Sequence, residues 1–236
     1  MKFKLLGAGA AALVLLATSF SAQAADIPRP VYKGARSVVA YYNWTGFYIG
    51  ANGGYGWGTS DWSVAGIGIA DTKPKGWLAG GTLGYNYQMG SFVWGLEGDF
   101  DWSDMTASSA CSIGGVVNCE SKQTWLATFR GRVGYAFDRW LPYITGGGAY
   151  GHIKATASNP LIAASVSNNQ LGWTVGAGLE YAFLGNWSAK IEYLYVDLGS
   201  FDTTAFSATP ITINFKENIV RAGINYKFSG PIFSRY

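Results

Sequence analysis

The chain has 236 residues, of which 13% are charged and 16% aromatic, and its formal net charge is +3. This near-neutral balance gives no support for nucleic-acid binding, and so few charges beside so many aromatic rings are unusual for a soluble protein. After the first 24 residues no apolar run reaches the length of a transmembrane helix, which excludes that class for the remainder of the chain. A membrane β-barrel fits both features, because its strands cross the bilayer with alternating side chains.

Residues 1–24 have the pattern of a cleaved export signal. Two lysines precede an apolar stretch, and Ala22, Gln23 and Ala24 match the small-x-small cleavage pattern. We expect cleavage before Ala25, which removes two lysines and no acid and lowers the net charge from +3 to +1. An uncleaved anchor is the alternative, but glycine and hydroxyl residues interrupt the apolar stretch.

Residues 25–44 contain two prolines and no sustained alternation, which predicts an extended periplasmic segment. Beyond it, eight segments alternate with the period of two that is typical of a β-strand. In chain order the predicted strands are Thr45 to Trp57, Trp77 to Gln88, Phe92 to Ser103, Thr124 to Phe137, Trp140 to Lys154, Leu171 to Phe183, Trp187 to Tyr195 and Glu217 to Phe228. We therefore expect one barrel domain over residues 45–228, followed by a tail of residues 229–236.

Each predicted strand has one face of large apolar side chains and one of glycine, polar and charged residues. The third strand is the clearest, because Glu97, Asp99 and Asp101 share one face while aromatic rings fill the other. The last strand places its apolar face toward lipid and its polar face toward the lumen. Its lipid face holds Val220, Ala222, Ile224, Tyr226 and Phe228, and its lumen face holds Arg221 and Asn225.

The fifth strand is rich in glycine, so its alternation is ambiguous. We place Tyr143, Ala149 and Ile153 on the outer face, because His152 and Lys154 then point inward.

The connections between predicted strands alternate between long and short. The short ones, at residues 89–91, 138–139 and 184–186, predict tight turns. This alternation is typical of outer-membrane barrels, which have external loops at one end and periplasmic turns at the other. Aromatic residues also occur at both ends of the apolar face, as the two bilayer interfaces favour. The predicted girdles are Phe47, Tyr87, Phe92, Phe137, Trp187 and Phe228 near the turns, and Trp57, Trp77, Trp102, Trp125 and Trp173 near the loops.

A soluble lipocalin-like barrel also has eight strands, but its apolar face points inward. That arrangement would crowd about a dozen aromatic rings into a narrow lumen and cover the outer surface with glycine. Small and charged residues suit a narrow interior, whereas a bulky apolar exterior requires lipid. The composition of the two faces therefore favours the fold class of an all-β, eight-stranded antiparallel up-and-down transmembrane barrel.

Four stretches resemble one family. Residues 44–57 (WTGFYIGANGGYGW), 141–148, 190–197 and 220–228 are similar to the small outer-membrane β-barrel proteins of alphaproteobacteria, the RopB-type or outer-membrane immunogenic proteins, within the OmpA-like barrel superfamily. The resemblance implies an abundant, antigenic surface protein that contributes to envelope integrity and has no catalytic residues. Members commonly end near the aromatic residue that closes the last strand. Residues 229–236 follow that residue here, which leaves Phe228 and Tyr236 as alternative signals for the assembly machinery.

Charged residues on the predicted lumen faces form the main candidate site. Five acids and four bases almost cancel: Glu97, Asp99, Asp101, Glu180 and Glu192 with Arg130, Arg132, Lys190 and Arg221. Counting from the tight turns places Glu97 beside Arg132, Asp99 beside Arg130, and Glu180 beside Lys190, while Glu192 and Arg221 lie on adjacent strands. An eight-stranded lumen is filled by its own side chains, so this set predicts a paired polar plug and not a pore or a catalytic pocket.

Cys111 and Cys119 lie in one predicted external connection. Two cysteines in an exported chain favour a disulfide; free thiols or a metal site are the alternatives, but no further cysteine or histidine is near enough in sequence to complete zinc ligation.

The sequence thus predicts a structural barrel of the outer membrane that presents four loops and is not an enzyme. A small-solute channel is the first alternative. A lipid-modifying enzyme is the second, because such barrels use a histidine with a serine, and His152 is the single histidine of the chain. We expect no cofactor and no metal, a monomer surrounded by lipid and lipopolysaccharide, and assembly by the outer-membrane barrel machinery. The partner of the loops is not predicted.

Overall fold

The computed structural model describes residues 42–64, 66–112, 116–158, 163–203 and 210–228. The predicted signal peptide, most of the predicted periplasmic segment and the C-terminal tail lie outside the described residues and stay predictions.

The described residues form one antiparallel sheet that closes on itself. Its strands are β1 (Gly46–Val64), β2 (Ile67–Thr72), β3 (Lys75–Met89), β4 (Phe92–Ser112), β5 (Val116–Tyr135), β6 (Trp140–Ser158), β7 (Ala163–Leu184), β8 (Trp187–Thr203) and β9 (Ile211–Lys227). Strands β1 and β3 to β9 pair in chain order, and β9 pairs with β1, which gives a ring of eight strands among the described residues. The predicted fold class is therefore confirmed.

The additional strand, β2, pairs with the outer end of β1 where β3 has not yet begun. Lys73 and Pro74 separate β2 from β3, and the proline has no N–H to contribute to a ladder. The carbonyl of Pro74 instead accepts a hydrogen bond from the amide of Gly58, at 2.8 Å. β2 and β3 thus act as one interrupted barrel strand.

The eight ring strands contain 15 to 22 residues, whereas about 9–11 residues suffice to cross a bilayer. Most of the stretches that we predicted as long connections are therefore strand, and that prediction was wrong. The reason is a change of pattern: beyond the membrane the apolar residues point inward, as Trp62, Ile211 and Ile213 do, all fully buried. A search for apolar residues on the outer face does not detect such strands. Within the described part of the chain no helix is long and apolar enough to span a membrane.

The predicted facing is confirmed for seven of the eight ring strands, and β6 is the exception. Tyr143, Ala149 and Ile153 are buried, with 4%, 1% and 0% of their surface exposed, while Lys154 is exposed. The predicted facing of this strand was wrong because His152 and Lys154 lie near its extracellular end, where polar residues belong on the outer surface.

The three tight turns occur where they were predicted. Gly90, Asp138 and Gly185 have φ angles of 62°, 54° and 51°, in the left-handed region that favours glycine and tolerates aspartate. Each turn joins neighbouring strands at the same end of the barrel and fixes which residues begin the next strand. This end is called periplasmic and the opposite end extracellular, after the predicted orientation.

Two neighbouring glycines of β6 illustrate the difference between the two faces. A Cβ atom on Gly147 would lie 2.1 Å from the backbone oxygen of Phe129, whereas a Cβ on Gly148 would meet no atom within 4 Å. We expect Gly147→Ala to lower the free energy of unfolding by about 1–3 kcal/mol, because the backbone of β5 must move. Gly148→Ala is the matched control and should be neutral or stabilising by up to about 1 kcal/mol. Urea unfolding in lipid vesicles measures both, and equal effects would contradict the assigned facing.

Candidate functional site: the filled lumen

The lumen contains successive layers of side chains. At the periplasmic end, Trp44 is 2% exposed and packs with Val93, Leu141 and Ala182. Its backbone amide donates a hydrogen bond of 2.8 Å to Oε1 of Gln88, which ties the chain that precedes β1 to the end of β3. An apolar cluster therefore covers the periplasmic side of the lumen.

Arg130 is the centre of the charged layer that follows. Its Nη2 lies 2.5 Å from Oε1 of Glu97 and 2.5 Å from Oδ2 of Asp99, and its Nη1 lies 3.0 Å from Oε1 of Glu192. The guanidinium is fully buried, so these ion pairs are shielded from water and salt. A single base thus compensates carboxylates from two different strands.

Arg221 has the same role on the neighbouring side. Its Nη2 lies 2.7 Å from Oε2 of Glu192 and 3.1 Å from Oδ1 of Asp99, and its Nη1 lies 2.8 Å from Oδ2 of Asp101. Arg130 and Arg221 therefore share Asp99 and Glu192 and form one network across the lumen.

Arg132 and Lys190 extend this network toward the periplasm. Nη1 of Arg132 lies 3.0 Å from Oε2 of Glu180 and 3.5 Å from Oε2 of Glu97, which also accepts a 3.0 Å hydrogen bond from Lys190. The guanidinium carbon of Arg132 lies 4.9 and 5.0 Å from the ring centres of Tyr48 and Tyr143. Two aromatic faces thus hold a cation that the strands bring to the centre of the lumen.

The pairing of the charged residues differs in part from the prediction. Glu97 stands opposite Arg130, Arg132 opposite Gly95, and Asp99 opposite Thr128, so the predicted β4–β5 register was wrong by two residues. Counting from the turns assumes level strand ends, whereas closing a barrel requires neighbouring strands to be staggered. Asp99 and Arg130 nevertheless meet diagonally.

The other two predicted neighbours have the expected register. Glu180 stands opposite Lys190, and Glu192 opposite Arg221. The ammonium of Lys190, however, reaches Glu97, while Glu180 accepts hydrogen bonds from Ser188, at 2.5 Å, and from Asn225, at 2.8 Å.

Neutral side chains that were not among the predicted site residues complete the network. Tyr48 donates to Glu97 at 2.7 Å, Tyr143 to Glu192 at 3.0 Å, and Thr82 to Asp99 at 2.7 Å. All three point inward at positions that alternate with the outer face. The alternation placed Tyr48 and Thr82 on the inner face, so it could have indicated that they contact the charged residues. Tyr143 could not be found in this way, because the facing of β6 was ambiguous.

An apolar layer follows directly on the extracellular side. Leu194 and Ile219 lie two residues beyond Glu192 and Arg221 on their strands, and both are at most 1% exposed. The layer is one buried cluster: Leu78, Leu126, Ala149, Ile153, Leu194, Val196, Leu198, Phe215 and Ile219. Beyond it, the hydroxyls of Ser60 and Ser121 lie 3.2 Å apart, and a second apolar cluster surrounds Trp62.

Glu217 is a further buried carboxylate that the candidate set did not contain. It is fully buried within the apolar layer, between Phe215 and Ile219 on the inner face of β9, and its Oε1 accepts a 3.0 Å hydrogen bond from the side-chain amide of Gln123.

The residues of the predicted aromatic girdles lie on the outer surface. Ten of them are 41–73% exposed. Trp125 is partly exposed and stacked between Phe100 and His152. The ring of His152 lies on the same outer face, with Nδ1 2.7 Å from Oδ1 of Asn169.

The cysteine pair is described only in part. Cys111 stands opposite Val117 in the β4–β5 ladder, and the side chain of Cys119 is fully buried. The side chain of Cys111 lies outside the described residues, so the disulfide stays a prediction. Among the side chains that are described, no group of three or more His, Cys, Asp or Glu residues is arranged to hold a metal ion.

A closed antiparallel ring with an apolar, aromatic outer face and charged residues buried inside defines a transmembrane β-barrel. Residues 10–228 match the family described as outer membrane protein beta-barrel domain, and the chain belongs to this family. The resemblance stated from the sequence is therefore confirmed, and the protein is located in the outer membrane.

Two curated relatives and one solved structure illustrate these similarities. The chain is 36% identical over 203 residues to the 31 kDa outer-membrane immunogenic protein of Brucella melitensis biotype 1, covering 79% of this chain and 85% of that protein. It is 33% identical over 225 residues to the 25 kDa outer-membrane immunogenic protein of Brucella abortus biovar 1, covering 93% and 95%. The crystal structure of the outer membrane protein OprG from Pseudomonas aeruginosa is 14% identical, with a TM-score of 0.47 over 78% of this chain and 97% of that one.

Proposed function

We propose that the protein is a non-conducting structural barrel that contributes to the integrity of the outer membrane and presents its extracellular end on the cell surface. The observation that carries this proposal is the apolar layer around Leu194, Phe215 and Ile219, which lies across the lumen directly outside the charged layer. A hydrated ion would have to lose its water to pass such a layer. The cluster around Trp44 is a second barrier at the periplasmic end.

The charged layer supports the same proposal. Its nine charged residues are at most 5% exposed, so their charges are used within the barrel wall and lumen and offer no site for a solute. The network ties β3, β4, β5, β7, β8 and β9 together through ion pairs and hydrogen bonds. We therefore infer that it is a plug that strengthens the barrel, and that closure of the ring, which leaves β1 and β9 paired, suits a monomer.

The two alternatives have less support. A small-solute channel requires an open polar path, whereas apolar clusters lie on both sides of the charged layer. Glu217 stands within the outer cluster, but it is fully buried and hydrogen-bonded to Gln123. A lipid-modifying enzyme requires a nucleophile beside its base, but the ring of His152 is occupied by Asn169 and Trp125.

Single-channel recording in a planar bilayer tests the proposal. We expect the purified full-length protein to give no stable conductance steps over the range of voltages that the bilayer tolerates, because the apolar layer excludes hydrated ions. Insertion is verified separately, by protease protection of the same reconstituted sample. Stable, reproducible steps from inserted protein would contradict the plug and favour the channel.

A further inference from the structure

A groove crosses the outer, membrane-facing surface over β1, β3, β4 and β5. Its volume is about 780 Å³, its floor contains Gly81 and Gly98, and its walls contain Ile49, Trp102 and Phe129. This size is in the range of sites that bind small ligands. The groove extends from Phe47 of the periplasmic girdle to Trp102 of the extracellular girdle, along the acyl chains of the bilayer. Gly81 and Gly98 lie four residues from Trp77 and Trp102, in the half of the groove nearer the outer leaflet.

The glycines of the floor are not required by the packing of the barrel. A Cβ on Gly81 would lie 3.7 Å from the nearest atom, a backbone oxygen of Gly50, and a Cβ on Gly98 would lie 3.9 Å from the oxygen of Thr128. The inward-facing Gly80, in contrast, would meet the oxygen of Phe100 at 2.0 Å. Barrel packing explains the inward glycine, whereas the outward glycines leave room for a group outside the protein.

A row of cations lies above this groove, on two of the same strands, β3 and β5, and on the neighbouring β6. The ladder pairs Lys75 with Thr106, Thr106 with Lys122, and Lys122 with Lys154, so the three lysines stand in one line across β3 to β6. Lys75 lies two residues beyond Trp77 of the extracellular girdle, and both Lys75 and Lys154 are exposed. The row therefore lies at the level of the lipid headgroups.

The charge of this row is only partly compensated by the protein. Lys122 pairs with Asp104 at 2.8 Å, and Glu120 lies on the same face of β5, two residues further from the membrane. Lys75 and Lys154 have no ion pair with a described residue, and like charges opposite each other on neighbouring strands are destabilising. An anion outside the protein would remove this repulsion.

The distance between the row of lysines and the groove, and the length of the row, fit a single lipid. Lys75 and Gly81 are six residues apart on β3, about 20 Å along the strand, and Lys75 and Lys154 are three strand spacings apart, about 14 Å. One phosphate cannot contact both end lysines, whereas a headgroup with a phosphate at each end can. An acyl chain attached to that headgroup reaches the groove below.

We propose that this face binds a bisphosphorylated glycolipid of the outer leaflet, with its phosphates on the row of Lys75, Lys122 and Lys154 and an acyl chain over Gly81 and Gly98. The proposal rests on the outer-membrane location and does not depend on whether the lumen conducts. A lipid-binding measurement therefore fails or succeeds independently of the conductance test.

Native mass spectrometry of the folded full-length protein in detergent, titrated with bisphosphorylated lipid A, tests the site. We expect one retained lipid and at least tenfold weaker binding of fully dephosphorylated lipid A. The double variant Lys75→Gln/Lys154→Gln should weaken binding of the phosphorylated form at least tenfold and abolish the preference for phosphate. The control Lys216→Gln also removes an exposed cation, one that pairs with Asp197, and should bind within twofold of wild type.

Separate variants test whether the groove binds the acyl chain. Gly81→Leu and Gly98→Leu should each fill the floor and weaken lipid binding at least fivefold while the barrel stays folded. Gly146→Leu is the matched control, because it is also outward, its Cβ would be an ordinary 3.5 Å from its nearest neighbour, and it lies outside the groove.

Three results would overturn the proposal. The first is equal binding of the phosphorylated and dephosphorylated lipids. The second is a double lysine variant within twofold of wild type. The third is displacement of the lipid by millimolar inorganic phosphate with no effect of the glycine variants, which would assign the lysines to free phosphate and not to a lipid.

Discussion

Replacing Arg130 by methionine is expected to lower the free energy of unfolding by about 3–5 kcal/mol, the usual consequence of removing one partner from a buried ion pair. The change keeps an unbranched stem that reaches about as far as Nε but removes the cation that lies within 3.0 Å of Glu97, Asp99 and Glu192. Those carboxylates are at most 5% exposed, so water cannot replace the lost partner. The measurement is urea unfolding in lipid vesicles. A second measurement heats aliquots to increasing temperatures before gel electrophoresis and records the temperature at which the band of the folded form disappears.

Two further variants define what this result means. Lys154→Met removes an exposed cation from the same barrel and should change stability by less than about 0.5 kcal/mol. Arg130→Met leaves five acids and three bases in the charged layer. Adding Glu97→Gln removes one of the excess negative charges and should restore part of the loss. A folded band of Arg130→Met that melts at the wild-type temperature would show that the network does not stabilise the barrel.

Introducing arginine at Ala222 is the second change with a large expected effect. Ala222 is exposed on the outer face of β9, opposite Gly53 and Ile191. It lies four residues from Asn218 at the extracellular girdle and four from Tyr226 near the periplasmic one, so it is close to the middle of the bilayer. An arginine there should destabilise the folded state by about 2–4 kcal/mol, because its charge must leave water for hydrocarbon.

The controls separate charge from size and position. Ala222→Leu adds bulk without charge and should be neutral or slightly stabilising. Ser165→Arg places the same charge on the outer face eight residues beyond Trp173, outside the bilayer, and should change stability by less than about 0.5 kcal/mol. If Ala222→Arg unfolds at the same urea concentration as Ser165→Arg, the assignment of this face to lipid is wrong.

The alternation of residues was sufficient to predict much of this structure. In the membrane-spanning parts of β3, β4 and β9 the large apolar side chains all fall on one face and the charged ones on the other. A strand has only two faces, so the period decides which residues face lipid and which face the lumen. The same alternation selected all nine charged residues of the buried network. It failed in β6, because a strand with three successive glycines at Gly146, Gly147 and Gly148 has too few side chains to show its period.

The alternation of apolar and polar residues did not predict the extracellular half of the barrel, for a different reason. There the inner face is apolar, as at Trp62 and Phe215, and the outer face is polar, which is the arrangement of a soluble barrel. The sequence changes from one arrangement to the other within a single strand, at the girdle tryptophans. A prediction that assumes an apolar outer face along the whole strand therefore ends each strand too early.

By itself, the sequence determined that this protein is an exported β-barrel of the outer membrane and which charges face its lumen, because these properties depend only on composition and on a period of two. The tertiary structure decided which charges meet. The stagger of the strands moves Arg130 opposite Glu97, and side chains distant in sequence, such as Arg221 and Asp101, come within 2.8 Å. It also decided that apolar layers lie on both sides of the charges and that Lys75, Lys122 and Lys154 stand in one row. Barrel closure sets these relations by fixing the register of every strand at once.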